Sequence, residues 1–194
     1  MKKLIFLVLI LACVSNLSFA RKIVIRLYDD RTFELRGSYF LPSQKDFRDF
    51  YGNGFMPGAE ASLGLTKNLK LWLSGRYFQS KGKLSFTKEE TKVKITPIGG
   101  GFKYIQPLGK LNVYAALGFE YTLYRESNPI GKISEIAWGI LGRLGSLISL
   151  GGRWYADAFV SYSTCRMKPD YFRINIGGFE AGIGIMYKLK KGRW

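Results

Sequence analysis

Residues 96–124 read TPIGGGFKYIQPLGKLNVYAALGFEYTLY, and the second half of this stretch alternates almost without fault. Leu111, Val113, Ala115, Leu117, Phe119, Tyr121 and Leu123 fall on one face of a period-two strand. Asn112, Tyr114, Ala116, Gly118, Glu120, Thr122 and Tyr124 fall on the other. Strands in soluble sheets usually run about 5–6 residues, and this alternation continues to more than twice that. A strand so long, with one apolar face and one polar or small face, is what crossing a bilayer in a barrel requires.

Seven more segments carry the same pattern. The first sets Phe33, Leu35, Gly37, Tyr39 and Leu41 against Glu34, Arg36, Ser38 and Phe40. The second sets Phe55, Ala59, Ala61, Leu63 and Leu65 against Glu60 and Ser62, and the third sets Leu69, Leu71, Leu73 and Tyr77 against Lys70, Ser74 and Arg76. The fourth, 93–105, contains Gly99, Gly100 and Gly101, and glycines inside a strand predict a bulge. The sixth has Trp138, Ile140, Leu144 and Ile148 as its apolar face. The seventh sets Trp154, Ala156, Ala158, Val160 and Tyr162 against Tyr155, Asp157 and Ser161, and 174–189 closes the chain with a phase slip at Gly177 and Gly178.

The connections alternate in length. Residues 42–54, 80–91, 125–134 and 163–172 read as long loops; 67–68, 107–110 and 151–152 read as tight turns. Short turns on one side of a membrane and long loops on the other explain that asymmetry. The predicted fold is all-β, an eight-stranded antiparallel up-and-down transmembrane β-barrel. The direction in which the apolar face points is not written in the sequence, so a soluble periplasmic lipocalin-like barrel, with that face around a ligand, stands as the alternative.

The first twenty residues support export. Lys2 and Lys3 precede an apolar run and the small-residue site Ser18-Phe19-Ala20, which predicts a cleavable signal peptide over 1–20. Ile10-Leu11-Ala12-Cys13 loosely resembles a lipoprotein cleavage box, with Cys13 as the residue that would be acylated. Residues 21–32 read as a lead-in and 33–194 as the barrel. No later run reaches the ~18 apolar residues of a spanning helix. Cleavage would leave Cys165 as the one cysteine, so no internal disulfide is expected. The formal charge of +16 would ordinarily suggest nucleic acid; export argues against that and toward anionic membrane headgroups such as lipopolysaccharide phosphates.

With the apolar face on lipid, the barrel interior would receive Glu60, Glu120, Asp157 and Glu180 together with Lys70, Arg76, Lys94, Lys103, Arg143 and Lys188. An eight-stranded barrel is just filled by its side chains, so Glu60, Arg76, Lys103, Glu120, Arg143, Asp157, Glu180 and Lys188 are predicted to form a plug of ion pairs with no open pore. Glycines on the same face (Gly64, Gly118, Gly182, Gly184) would leave room for long partners. Tyr39, Tyr77, Tyr104, Tyr121, Trp154, Tyr162 and Tyr187 lie near strand ends, as interfacial girdles do. In the external loops, Phe47, Phe50, Tyr51, Phe86, Tyr171 and Phe172 are the candidate contacts.

The segment ITPIGGGFKYIQPLGKLNVYAALGFEY and the closing GFEAGIGIMYKL resemble the strand–turn–strand unit and terminal strand of the small outer-membrane β-barrel proteins. That group includes the OmpA transmembrane domain, OmpX, OmpW and the opacity-type porins. The resemblance covers essentially the whole chain after the signal peptide. It implies an outer-membrane location, delivery by the outer-membrane insertion machinery, contact with outer-membrane lipid and a monomer. One departure is the run Lys190-Lys191-Gly192-Arg193 before Trp194, where such terminal strands often end on an aromatic residue.

Enzymatic barrels of similar size (the lipid A palmitoyltransferase and deacylase, the phospholipase and the omptin-type protease) resemble one another in needing a histidine, and this chain has none. Cys165, in an expected loop beside Arg166 and Lys168, would have a lowered pKa but lacks a base. No phosphate-binding loop or metal-ligand spacing is present, so no cofactor is expected. The sequence therefore reads as a non-enzymatic outer-membrane barrel with a structural or surface-binding, adhesive role through its four external loops. A passive conduit for small hydrophobic molecules, by lateral exit as in OmpW-like barrels, is the second reading.

Overall fold

Long alternating segments of β-branched, aromatic and glycine residues form strands that pair with their sequence neighbours. The computed structural model describes residues 30–83, 90–109, 111–129, 131–167 and 174–189. The expected signal peptide, Cys13, nearly all of the 21–32 lead-in, Phe86, Tyr171, Phe172 and residues 190–194 lie outside the described residues. The elements are β1 (Arg31–Pro42), α1 (Lys45–Tyr51), β2 (Gly54–Gly64), β3 (Leu69–Arg76), β4 (Phe78–Lys83) and β5 (Glu90–Leu108). They continue with β6 (Leu111–Asn128), β7 (Gly131–Gly151), β8 (Trp154–Met167), β9 (Ile174–Asn175) and β10 (Gly178–Lys188).

The strands close into a ring. Each wall strand pairs antiparallel with its neighbours in the order β1-β2-β3-β5-β6-β7-β8-β10, and β10 returns to β1 with Leu35 opposite Ile185. β4 continues the line of β3 past Tyr77 and pairs β5; β9 pairs the end of β8. This is the eight-stranded up-and-down barrel. Closure leaves no unpaired edge in the part of the wall that carries the outward apolar band, which is the condition for β-structure within hydrocarbon.

The apolar face points outward. Phe119 is 72% exposed and Ile183 71%, whereas Glu60 and Lys103 on the other face are 1% exposed. That is the reverse of a water-soluble core and excludes the lipocalin-like arrangement. Outward apolar stretches at 111–121 on β6, 138–148 on β7 and 154–162 on β8 match the roughly 9–11 residues a tilted spanning strand needs. Rings border this band: Trp154 packs on Tyr187 at 4.8 Å near the short-turn end, and Tyr121 on Trp138 at 4.8 Å near the other. Tyr39, Tyr77, Tyr104 and Tyr162 also face outward.

The wall is not equally tall. β5, β6 and β7 have 19, 18 and 21 residues; β1, β2 and β10 have 12, 11 and 11. The extra length corrects three expected loops. Residues 125–134 are mostly strand, with Asn128 opposite Gly131 in a tight hairpin. Within 80–91, β4 pairs β5 from Phe78 opposite Ile95 to Lys83 opposite Glu90. β8 continues to Met167, so Cys165 is not in an exposed loop but buried inside the wall, donating its S–H to Thr122 Oγ1 at 3.2 Å. Residues 45–51 of the first expected loop form α1, which ends at Gly52 in a left-handed conformation (φ 71°). β1 starts at Arg31, two residues before the expected Phe33.

The glycine run on β5 carries no bulge: register with β6 is unbroken from Lys92–Ser127 to Leu108–Leu111. These glycines instead admit an aromatic ring. Gly99 and Gly118 lie under Trp72, and a Cβ on Gly118 would sit 2.5 Å from the Trp72 ring. The register irregularity occurs between Ser149 and Gly151.

Candidate functional site

Every wall strand sends at least one charged side chain into the middle of the barrel. The inward positions of the alternation are Glu34 and Arg36 (β1), Glu60 (β2), Arg76 (β3), Lys103 (β5), Glu120 (β6), Arg143 (β7), Asp157 (β8) and Glu180 (β10), and all are buried. They form two groups. In one, Arg76 bridges Glu120 and Glu180 across the lumen, and Ser38 Oγ donates to Glu180 Oε2 at 3.0 Å. In the other, Glu60 accepts from Arg36 Nη1 at 2.6 Å, from Arg143 Nη1 at 2.5 Å and from Lys103 Nζ. Arg36 also pairs with Glu34 (Nη2 to Oε2, 2.7 Å) and Asp157 (3.3 Å), and Tyr114 OH donates to Asp157 Oδ2 at 2.8 Å.

This second group holds three cations and three carboxylates, so a buried set that would be prohibitive singly is neutralised as a whole. Aromatic faces complete the solvation. Arg36 and Arg143 lie over Phe159 at 5.0 and 5.4 Å, Arg143 over Trp72 at 5.3 Å, and Lys103 over Tyr114 at 4.8 Å. The void beside Arg36, Arg76 and Arg143 is about 10 Å³, at the lower limit for one water.

Above this layer the interior changes chemistry. Phe40, Met56, Phe78, Val93, Ile95, Tyr124, Ala137, Cys165, Met167 and Ile176 form an apolar cluster closed by Phe47 of α1. Phe40 and Phe78 meet edge to face at 5.2 Å. The helix is fastened at both ends. Asn175 N donates to Gln44 Oε1 at 2.9 Å and Ser43 N to the Gly177 carbonyl at 3.0 Å, while Ser80 Oγ donates to the Tyr51 carbonyl.

The sequence-derived residues thus separate. Glu60, Arg76, Lys103, Glu120, Arg143, Asp157 and Glu180 come together in the lumen. Lys188 does not: it sits half-exposed at the short-turn rim with Asp30, 3.2 Å away, which also pairs with Lys70 at 2.9 Å. Lys94 is exposed on the outer face, because inward positions on β5 are odd-numbered and Lys103 already fixes that phase. Glu34, Arg36, Trp72 and Tyr114 join the interior without having been singled out; Glu34 and Arg36 share an inward face at a spacing of two, a signal present in the alternation.

Of the loop candidates, Phe47 is buried in the apolar cluster. Tyr51 is partly buried, its hydroxyl 3.3 Å from Thr91 Oγ1, and burial pushes its phenol up to about 12. Phe50 is exposed and, with Asp49, Lys81, Gly82 and Glu90, borders an open cleft of about 370 Å³. No group of three metal-ligating side chains occurs among the described residues.

No protein-family model matches the chain, and no curated protein matches it. Solved structures do. Outer membrane protein OprG from Pseudomonas aeruginosa is similar at TM-score 0.66 and 14% identity, over 85% of this chain and 98% of that one. Neisserial surface protein A is similar at TM-score 0.61 and 18% identity, over 82% and 97%. The N-terminal β-barrel domain of Pseudomonas aeruginosa OprF is similar at TM-score 0.56 and 13% identity, over 84% and 100%. Closed ring, outward apolar band and these neighbours agree: the fold is that of small outer-membrane β-barrels.

Proposed function

We propose that this protein is a non-enzymatic outer-membrane barrel that acts at the cell surface, its tall external crown presenting a binding, adhesive face and its lumen serving only stability. The observation that carries this reading is the filled interior. An ion-paired layer with about 10 Å³ of void lies under an apolar cluster sealed by α1. Such a lumen supplies neither a path nor an apolar vestibule, which speaks against the conduit for small hydrophobic molecules. Delivery would follow the usual route for such barrels, with β10 as the strand read by the insertion machinery. Binding would rest on external residues such as Phe50 and on Phe86, Tyr171 and Phe172.

Two measurements test the proposal. Protein reconstituted in planar bilayers is expected to give no stepwise conductance and no enhanced uptake of a small apolar fluorophore. Intact cells displaying it are expected to adhere to a protein-coated surface, with loss on replacing Asp49, Phe50 and Phe86 by serine. Conductance or uptake in the folded protein, with adhesion indifferent to those replacements, would overturn it.

A further inference from the structure

The register of the tall wall brings five cations onto one outward surface. In one row of opposed residues stand Gln79, Lys94, Arg125 and Ser134; in the next stand Lys81, Lys92, Ser127 and Lys132. Directly opposed residues share a face of the sheet, and all eight are exposed. Neither row contains an acid. Lys81 faces Lys92 and Lys94 faces Arg125, pairings of like charge that destabilise a sheet unless something of opposite sign covers them. Glu90 reaches Lys81 at 3.6 Å; among the described residues Lys92, Lys94, Arg125 and Lys132 have no carboxylate partner. Glu126, the nearest acid on β6, faces the other way and accepts from Tyr124 OH at 2.6 Å.

The height of these rows identifies the occupant. Lys94 lies four residues beyond Ile98 and Arg125 two beyond Leu123, the last outward apolar residues on β5 and β6. At ~3.4 Å per residue and a tilt near 40°, that is roughly 5–10 Å above the band's edge. Flexible lysine and arginine stems can reach several ångströms back from there. Directly beneath on the same face are Leu123 and Ile136, and then Ile98, Tyr121 and Trp138. An amphiphile with phosphates on the cations and acyl chains on this wall meets both surfaces at once. Among the described residues the opposite wall offers no counterpart: β1, β2 and β10 end near the band, and α1 carries mixed charges (Lys45, Asp46, Arg48, Asp49).

We infer that Lys81, Lys92, Lys94, Arg125 and Lys132 form a one-sided binding strip for the phosphate groups of an outer-leaflet glycolipid of lipopolysaccharide type. The inference rests on the outer-membrane orientation proposed above.

The test uses the full chain, folded in neutral detergent and titrated with lipopolysaccharide, with the same glycolipid stripped of phosphate, with phosphatidylglycerol, and with heparin as a soluble polyanion. Wild type is expected to bind lipopolysaccharide with a strong salt dependence. At about a fivefold loss per neutralised surface cation, K92Q/K94Q/R125Q should weaken that binding by tenfold or more. K45Q/R48Q, on the other side of the crown, should bind as wild type. Equal affinity for the triple variant, or for the phosphate-free glycolipid, overturns the strip. Preference for phosphatidylglycerol reassigns it to any anionic lipid, and preference for heparin to a soluble polyanion; either overturns the glycolipid. A heat-dependent gel shift and outer-membrane recovery of the triple variant report separately on the barrel and its orientation, so failure of the strip and failure of the underlying reading are distinguishable.

Discussion

The mid-barrel layer and the external crown are built from the same strands with opposite chemistry. On β5, Lys103 points inward and Phe102 outward within the membrane band, whereas in the crown Val93 and Ile95 point inward and Lys92 and Lys94 outward. The backbone phase never changes; the polarity assigned to each face does, near Thr96. Below that point lipid lies outside, so the interior takes the polar groups and must pair them. Above it water lies outside, and the crown is organised like a small soluble core. A barrel can thus carry two cores, one ionic and one apolar, stacked on a common ladder of hydrogen bonds.

If that division is correct, the two cores should fail differently. The largest effect is expected for Glu60→Ala, which leaves Arg36, Lys103 and Arg143 without their shared carboxylate. Breaking a buried pair costs about 3–5 kcal/mol, and this variant should lie at the upper end in urea unfolding from lipid vesicles. A loss below about 1 kcal/mol would mean that the ionic layer is water-solvated and not a core. Phe78→Ala should cost about 3 kcal/mol through the void it opens, but only in the crown. Its heat-dependent gel shift should survive while the buried Cys165 thiol, which burial should protect in wild type, becomes accessible to a maleimide. Loss of the shift would instead show one cooperative unit.

Gly118→Val probes the packing between the layers and should cost about 3 kcal/mol by overpacking against the Gly100 carbonyl and the Trp72 ring. The smallest effect belongs to Lys188→Ala. Its pair with Asp30 is half-exposed at the rim, where such pairs contribute no more than ~1 kcal/mol, and a midpoint indistinguishable from wild type is expected.

The same polarity switch explains which parts of the molecule were legible beforehand. Within the band, alternation located all eight wall strands and brought Glu60, Arg76, Lys103, Glu120, Arg143, Asp157 and Glu180 to one face. In the crown, polar outward residues such as Lys81, Arg125 and Lys132 read as loop, because a rule that expects apolar residues outside fails once the solvent is water. Lys94 was drawn inward by its charge although its position has the outward phase. Cys165 was drawn outward by its charged neighbours although β8 continues through it. Tight packing around Trp72 had only an indirect signal, the glycines at Gly99 and Gly118, since a missing side chain does not say which ring will occupy its space.

What the sequence by itself determined is the period: two faces per strand, eight strands, and short turns at one end. Those are local properties, set by side-chain alternation and turn chemistry along a few residues. The tertiary structure alone decided the rest. Ring closure chose the hand of the alternation, the shear brought Arg76 to Glu120 and Glu180 across the lumen, and cross-strand register aligned Lys81 with Lys92 and Lys94 with Arg125. Each depends on residues far apart in the chain, whose distances are fixed only when the last strand meets the first.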